Sequence, residues 1–156
     1  MRIHLLAVGE KMPVWVSQGY QEYVRRLPAD NTLLLHEVSA ARRGKNPEVE
    51  RWKHQEGERL LAAVPKGAHV VALDEHGEGW TTRQLAGRLE EWRRQGSDIA
   101  LLVGGADGLS ADCLQQARQR WSLSPLTLPH ALVRIVLAEQ LYRAWTVLQG
   151  HPYHRD

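Results

Sequence analysis

Apolar residues fall along this chain in two alternating rhythms. Four short, nearly continuous apolar runs, at residues 3–8, 33–38, 69–73 and 99–103, read as strands buried on both faces. Between them the apolar positions recur at helical spacing. Residues 13–26 set Val16, Tyr20, Tyr23 and Val24 on one face, with Leu27 just beyond. Asn46-Pro47 marks a second helix start, because Asn caps and Pro suits the first helical position; Pro65 and Gly67 stop it after Val64. Thr81 and Gln84 form a capping box, which starts a third helix that Gly96 ends. Ser110 caps a fourth helix, expected to run to about Arg120. Residues 123–128 read as a short fifth strand or an extended loop, and residues 129–149 as a last helix stopped by Gly150. Strands alternating with helices predict an α/β fold, a parallel sheet flanked by helices. No repeat, low-complexity tract or linker interrupts it, so residues 1–156 read as a single domain.

The last helix departs from the pattern of a surface helix. Leu132, Val133, Ile135, Val136, Leu137, Leu141, Trp145 and Leu148 make it apolar nearly all round, where one stripe is usual. A homodimer built partly on this helix is expected; a central helix within one chain is the alternative.

Composition narrows the classes. An apolar fraction of 43% with 6 Trp argues against disorder. The net charge of +2 is too mild to identify a nucleic-acid binder without a local basic patch. Arg42, Arg43 and Lys45 supply one such loop, which either touches RNA or is simply solvated. Cys113 is the single cysteine, so no intrachain disulfide or cysteine-based zinc site is possible; this fits a reducing cytoplasm. Cys113 itself reads as a buried structural thiol. His4, His36 and His69 sit in strands and read as structural, His54 and His76 as surface residues, and no paired spacing builds a metal site. No apolar stretch reaches membrane-spanning length, and no signal-peptide core follows Met1.

Chemistry is concentrated in the last third. Gly104-Gly105-Ala106-Asp107-Gly108 follows a strand and precedes a capped helix, a context that lets backbone approach a ligand. An ordinary left-handed turn is the plainer reading, since neither the dinucleotide fingerprint nor the phosphate-loop motif is present. That absence also counts against a flavin- or nicotinamide-binding enzyme. Ligands of open parallel sheets sit beyond the carboxyl ends of strands. Leu73-Asp74, Gly104-Gly105 and the segment Leu123, Ser124, Pro125, Leu126, Thr127, Leu128 are three such ends. The last segment either leaves main-chain groups free to recognise an adenine edge or is a proline-interrupted edge strand. The tail His151-Pro152-Tyr153-His154-Arg155-Asp156 is either an ordinary terminus or a working one, in which His154 could accept a proton and Arg155 could grip phosphate. Glu139, Tyr142 and Arg143 lie close on the last helix, as an internal ion-paired set or with Arg143 turned to a substrate.

Taken together these segments resemble the bacterial ribosomal RNA large subunit methyltransferase H family of the SPOUT superfamily. The resemblance runs from Ala7-Val8-Gly9 and Lys11-Met12-Pro13 through Arg43-Gly44-Lys45-Asn46, Leu102-Val103-Gly104-Gly105, Gly108-Leu109-Ser110 and Thr127-Leu128-Pro129-His130. It closes on Leu141-Tyr142-Arg143-Ala144-Trp145 and His151-Pro152-Tyr153-His154-Arg155. It implies a C-terminal trefoil knot, which no strand count would have suggested. It also implies a homodimer, S-adenosylmethionine as methyl donor, and N3 methylation of a pseudouridine in the helix-69 loop of 23S rRNA within the ribosome. By position, Leu73, Gly104 and Leu123 through Leu128 become cofactor contacts. His154 becomes the general base, Tyr153 a stacking partner, and Arg143 and Arg155 the RNA-holding cations. Pro125 has no N–H to donate, so any such contact falls to a neighbour. A non-catalytic RNA-binding or ribosome-assembly factor with a vestigial pocket is the rival.

Overall fold

The computed structural model describes residues 1–154. Five strands form one all-parallel sheet in the order β2-β1-β4-β3-β5. They are β1 (Arg2–Val8), β2 (Thr32–Val38), β3 (His69–Gly79), β4 (Ile99–Val103) and β5 (Gln119–Ser122). The helices are α1 (Val14–Val24), α2 (Val49–Ala63), α3 (Thr82–Gln95), α4 (Ala111–Gln116) and α5 (His130–Gln149).

Alternation along the strands divides the core in two. Ile3, Leu5, Ala7, Val71, Ile99, Leu101 and Val103 face α1, α3 and α5. Leu6, Val8, Ala72, Ala100 and Leu102 face α2 and α4. β4 lies at the centre and all five of its residues are buried, which is why it carries no polar side chain. The capping box holds as expected: the Thr81 hydroxyl accepts from the Gln84 amide, and the Gln84 side chain accepts from the Thr81 amide. Gly96 and Gly150 end their helices in the left-handed region.

Three expected boundaries are corrected. Of the two readings of 123–128 the loop holds, the fifth strand being Gln119–Ser122 just before it, and α4 stops at Gln116 rather than near Arg120. Pairing with β3 decides this. Ala117 turns extended, and the Arg118 amide donates to the Val70 carbonyl at 2.9 Å, beginning the ladder that the helix would have consumed. Asn46 caps nothing, because α2 begins at Val49 with Glu48 before it. β3 also runs beyond Leu73. It breaks register between Leu73 and Glu78, bows outward and rejoins β5 opposite Trp121 and Ser122.

α5 is enclosed by α1, α3 and the sheet, which accounts within one chain for much of its apolar perimeter. Leu137, Ala138, Leu141 and Ala144 are fully buried; covering a leucine this completely is worth roughly 1.5–3 kcal/mol. Gly19 lets α1 approach: a Cβ there would lie 2.9 Å from Ile135 Cδ1. Farther along, Arg26 lies 5.8 Å over the Tyr142 ring. The two helices therefore run in the same direction, start beside start. Buried Arg134 donates from Nη1 to Glu37 at 2.5 Å and from Nη2 to the Gly9 carbonyl at 2.7 Å, which compensates a charge that burial alone would penalise. The start of α5 is thus tied to the ends of β1 and β2.

Candidate active site

The carboxyl ends of β3, β4 and β5 open onto one cleft of ≈ 710 Å³, within the range of small-molecule sites. Three loops and the start of α5 wall it. Its β3 wall exists because the strand bows out after Leu73, presenting Asp74, Glu75 and His76. The β4 wall is the turn 104–108. Gly105 and Gly108 pair across it, with the Gly108 amide donating to the Gly105 carbonyl at 3.1 Å. The fold of this turn demands glycine at 104: a Cβ would sit 2.5 Å from the Gly108 carbonyl carbon and 2.7 Å from its oxygen. Backbone cannot yield that distance cheaply.

The third wall is the 123–128 loop after β5. It makes no backbone–backbone hydrogen bond among the described residues, within the sheet or outside it. Ser124 braces it: its hydroxyl accepts from the Leu126 amide at 2.9 Å, and its carbonyl accepts from the Ser122 hydroxyl at 3.1 Å. The Thr127 hydroxyl reaches Glu75 at 3.5 Å, linking this wall to the β3 wall. The amides of Leu123, Ser124, Thr127 and Leu128 are left free of main-chain partners in a cleft floored by Trp121.

Leu73, Gly104, Leu123, Ser124, Leu126, Thr127 and Leu128 all line this cleft; Pro125 does not. Asp74, Asp107 and His130, which belong to the singled-out segments, also line it, whereas sequence reasoning missed Glu75, His76, Lys53 and Trp121. The polar residues after Leu73 carried one usable signal, since they extend a strand whose end was already singled out.

The tail lies elsewhere within the chain. Residues 152–154 form a single 3-10 turn against the far end of α5. Tyr153 meets the Tyr142 ring edge-on at 4.7 Å, and the Arg143 guanidinium lies 5.0 Å over Tyr153. Arg143 donates to Glu139 at 2.6 Å and to the His154 carbonyl at 3.0 Å. Glu139 therefore raises the Arg143 pKa. Burial, then Glu139 and Tyr23, push the Tyr153 hydroxyl above its usual value, so Tyr153 stays a neutral phenol and is no base at neutral pH. The buried Nδ1 of His154 has no partner among the described residues. Val133 lines the cleft and Arg143 holds the tail; their separation of ten positions spans roughly 15 Å of helix. The chain thus does not bring Tyr153 or His154 to its own cleft. Arg155 lies outside the described residues.

Two other expectations hold. Cys113 is fully buried, with burial raising its thiol pKa. His4 and His69 are buried in strands. No group of His, Cys, Asp and Glu suited to a metal ion occurs among the described residues, and no helix there is long and apolar enough to cross a membrane.

Known proteins share this architecture and this sequence. Solved structures share the fold: TrmJ from Z. mobilis ZM4 superposes with a TM-score of 0.55 at 20% identity, over 92% of this chain and 70% of that one. The methyltransferase Lpg2936 of Legionella pneumophila, solved with bound SAM, gives 0.52 at 12% identity, over 92% and 66%. The chain is 60% identical over 156 residues to the ribosomal RNA large subunit methyltransferase H of Hahella chejuensis, and 56% identical to that of Thioalkalivibrio sulfidiphilus, each over 100% of both chains. The family model described as predicted SPOUT methyltransferase matches residues 1–154. The chain belongs to the SPOUT methyltransferase family.

Proposed function

We propose that the protein is a single-domain, cytoplasmic, S-adenosylmethionine-dependent methyltransferase of large-subunit ribosomal RNA. Its target is N3 of a pseudouridine in the helix-69 loop of 23S rRNA. The observation that carries this reading is the convergence of three strand ends on one cleft, in a chain whose full-length relatives bear the name of that activity. The cleft suits the donor's chemistry. Free amides along 123–128 match the edge of an adenine, Leu73, Leu123 and Leu128 offer it an apolar bed, and Asp74, Glu75 and Asp107 suit a ligand with hydroxyls and a positive charge. When bound, the donor supplies an electrophilic methyl group on a sulfonium centre.

The chain's task is to align the target, remove its imide proton and keep water away. Alignment of this kind is worth roughly 7–11 kcal/mol of barrier. His154 is the proposed base, a role worth about 10²–10⁴-fold in rate. Tyr153, held neutral, stacks on the uracil ring, while Arg143 and Arg155 hold phosphate or the imidate oxygen.

Because the tail sits far from its own cleft, we place it at the cleft of a second copy. Exposed apolar residues support this homodimer. Val14 and Trp15, 70% and 55% exposed, begin α1; Leu132, 38% exposed, begins the neighbouring α5; Leu126, 74% exposed, caps the cleft loop. A second chain covering that patch stands at the cleft mouth. The family resemblance also implies a trefoil knot in this part of the chain, where the 104–108 turn and the 123–128 loop wall one cleft.

Ribosomes lacking the modification, incubated with protein and labelled donor, test this by mass spectrometry of 23S rRNA. One methyl on the helix-69 pseudouridine is expected. His154→Ala should retain donor binding and lose at least about 100-fold in turnover. No incorporation by the wild type would leave a non-catalytic RNA binder as the better account.

A further inference from the structure

The sheet edge that carries the cleft also carries cations with nothing to neutralise them. β1 and β2 leave the sheet side by side, the Gly9 amide donating to the Val38 carbonyl at 2.8 Å. Lys11 follows the first strand, and the loop 39–46, with Arg42, Arg43, Lys45 and no acid, follows the second.

Only Arg43 is engaged. It donates from Nη1 to Asp107 on the glycine turn at 2.5 Å, stands 3.8 Å from buried Glu56, and lies 4.6 Å over the Trp52 ring. Glu56 accepts the Ala41 amide at 2.9 Å, and Arg59 donates to the Ser39 carbonyl at 2.9 Å. The loop is pinned at residues 39, 41 and 43, to α2 and to the lip of the cleft. This pinning displays Arg42 and Lys45: both are exposed and make no hydrogen bond or ion pair among the described residues.

Lys11 is likewise exposed and without such a partner, and its backbone is in the left-handed region at φ 58°, the one non-glycine residue there among those described. Glycine would adopt that conformation with less strain. Three cations without a side-chain partner among the described residues thus stand at this edge, two of them on a loop, 39–46, that contains no acid.

We propose that Lys11, Arg42 and Lys45 form a phosphate-gripping rim that receives the RNA backbone beside the nucleotide entering the cleft. This rests on the rRNA methyltransferase reading above. A polyanion fits better than an acidic protein patch, because the loop 39–46 offers spaced charges with no large apolar side chain among them. Holding the loop in place before binding lowers the ordering cost of the contact.

The test is ribosome binding across a salt series with the full-length protein, comparing wild type with the triple variant Lys11→Gln, Arg42→Gln, Lys45→Gln. Each lost phosphate contact should flatten the plot of log affinity against log salt by about 1. Affinity at low salt should fall roughly 10–100-fold, with KM rising and kcat at saturating ribosomes nearly unchanged. Melting temperature and affinity for S-adenosylhomocysteine should match wild type, and a variant keeping the charges by Lys11→Arg, Arg42→Lys and Lys45→Arg should restore most of the slope. If wild type methylates ribosomes while the triple variant keeps its slope and affinity, the rim is wrong and the methyltransferase reading stands. If wild type neither binds nor methylates ribosomes, both fall together.

Discussion

At the scale of single residues, one polar chain at the foot of the sheet sets the acid stability of the fold. His4 Nε2 lies 3.0 Å from Asp98 Oδ2, which leaves His4 Nδ1 to accept from His36 Nε2 at 3.0 Å. Arg2 flanks Asp98 at 3.5 Å. The Asp98 carboxyl is held low, first by its hydrogen bond from His4. The His36 imidazole is held low, first by burial and then by His4. Both shifts have the same sign. In each case the unfolded chain takes the proton first, so stability present at neutral pH is lost on acidification. The His36 contribution fades as pH drops below about 6.5, and that of Asp98 below about 4. Melting temperature should therefore fall between pH 7.5 and 5.5, and His36→Asn should flatten that limb while leaving the steeper acid one. An unchanged profile in the variant would remove His36 from this role. That these histidines are structural was readable from their place in apolar strands. The link to Asp98 was not, because it joins positions ninety-four residues apart.

At the scale of elements, the sequence was clear where local chemistry and tertiary packing agree. Thr81 with Gln84 and the stops at Gly96 and Gly150 are local devices, and all three hold. It was misleading where pairing partners decide. Gln119–Ser122 is mostly polar, yet it is a strand because the edge of β3 lacks any other partner. Leu123, Leu126 and Leu128 have strand composition, yet Ser124 and Pro125 hold them in a loop. The three strand ends forming the cleft were therefore identified, Asp74 with the first of them, whereas Glu75 and His76 were not, since a register break is invisible in the period of side chains. The glycine turn offers an element-level test. In Gly104→Ala the new methyl meets Gly108 backbone, so the turn must open. Loss of roughly 1–3 kcal/mol of stability is expected, with S-adenosylhomocysteine affinity falling more steeply than stability. Calorimetry on the folded variant separates the two, and wild-type affinity would show that the turn does not shape the ligand site.

At the scale of the molecule, we propose that sheet, cleft and tail form a machine that one chain does not complete. The cleft lies at the start of α5 and the tail near its end, on a helix too stiff to fold back. The apolar perimeter of α5 hinted at a partner, but α1, α3 and the sheet cover most of it. The remaining apolar exposure gathers at the cleft mouth, where a second tail would arrive. Placement of the methyl donor in that cleft underlies every other step. A crystal structure of the protein with S-adenosylhomocysteine tests this placement most directly. The account predicts the adenosine seated between Leu73, the 104–108 turn and the 123–128 loop, with main-chain groups of that loop on the adenine edge. Ligand bound at another surface, with the cleft empty, would contradict it.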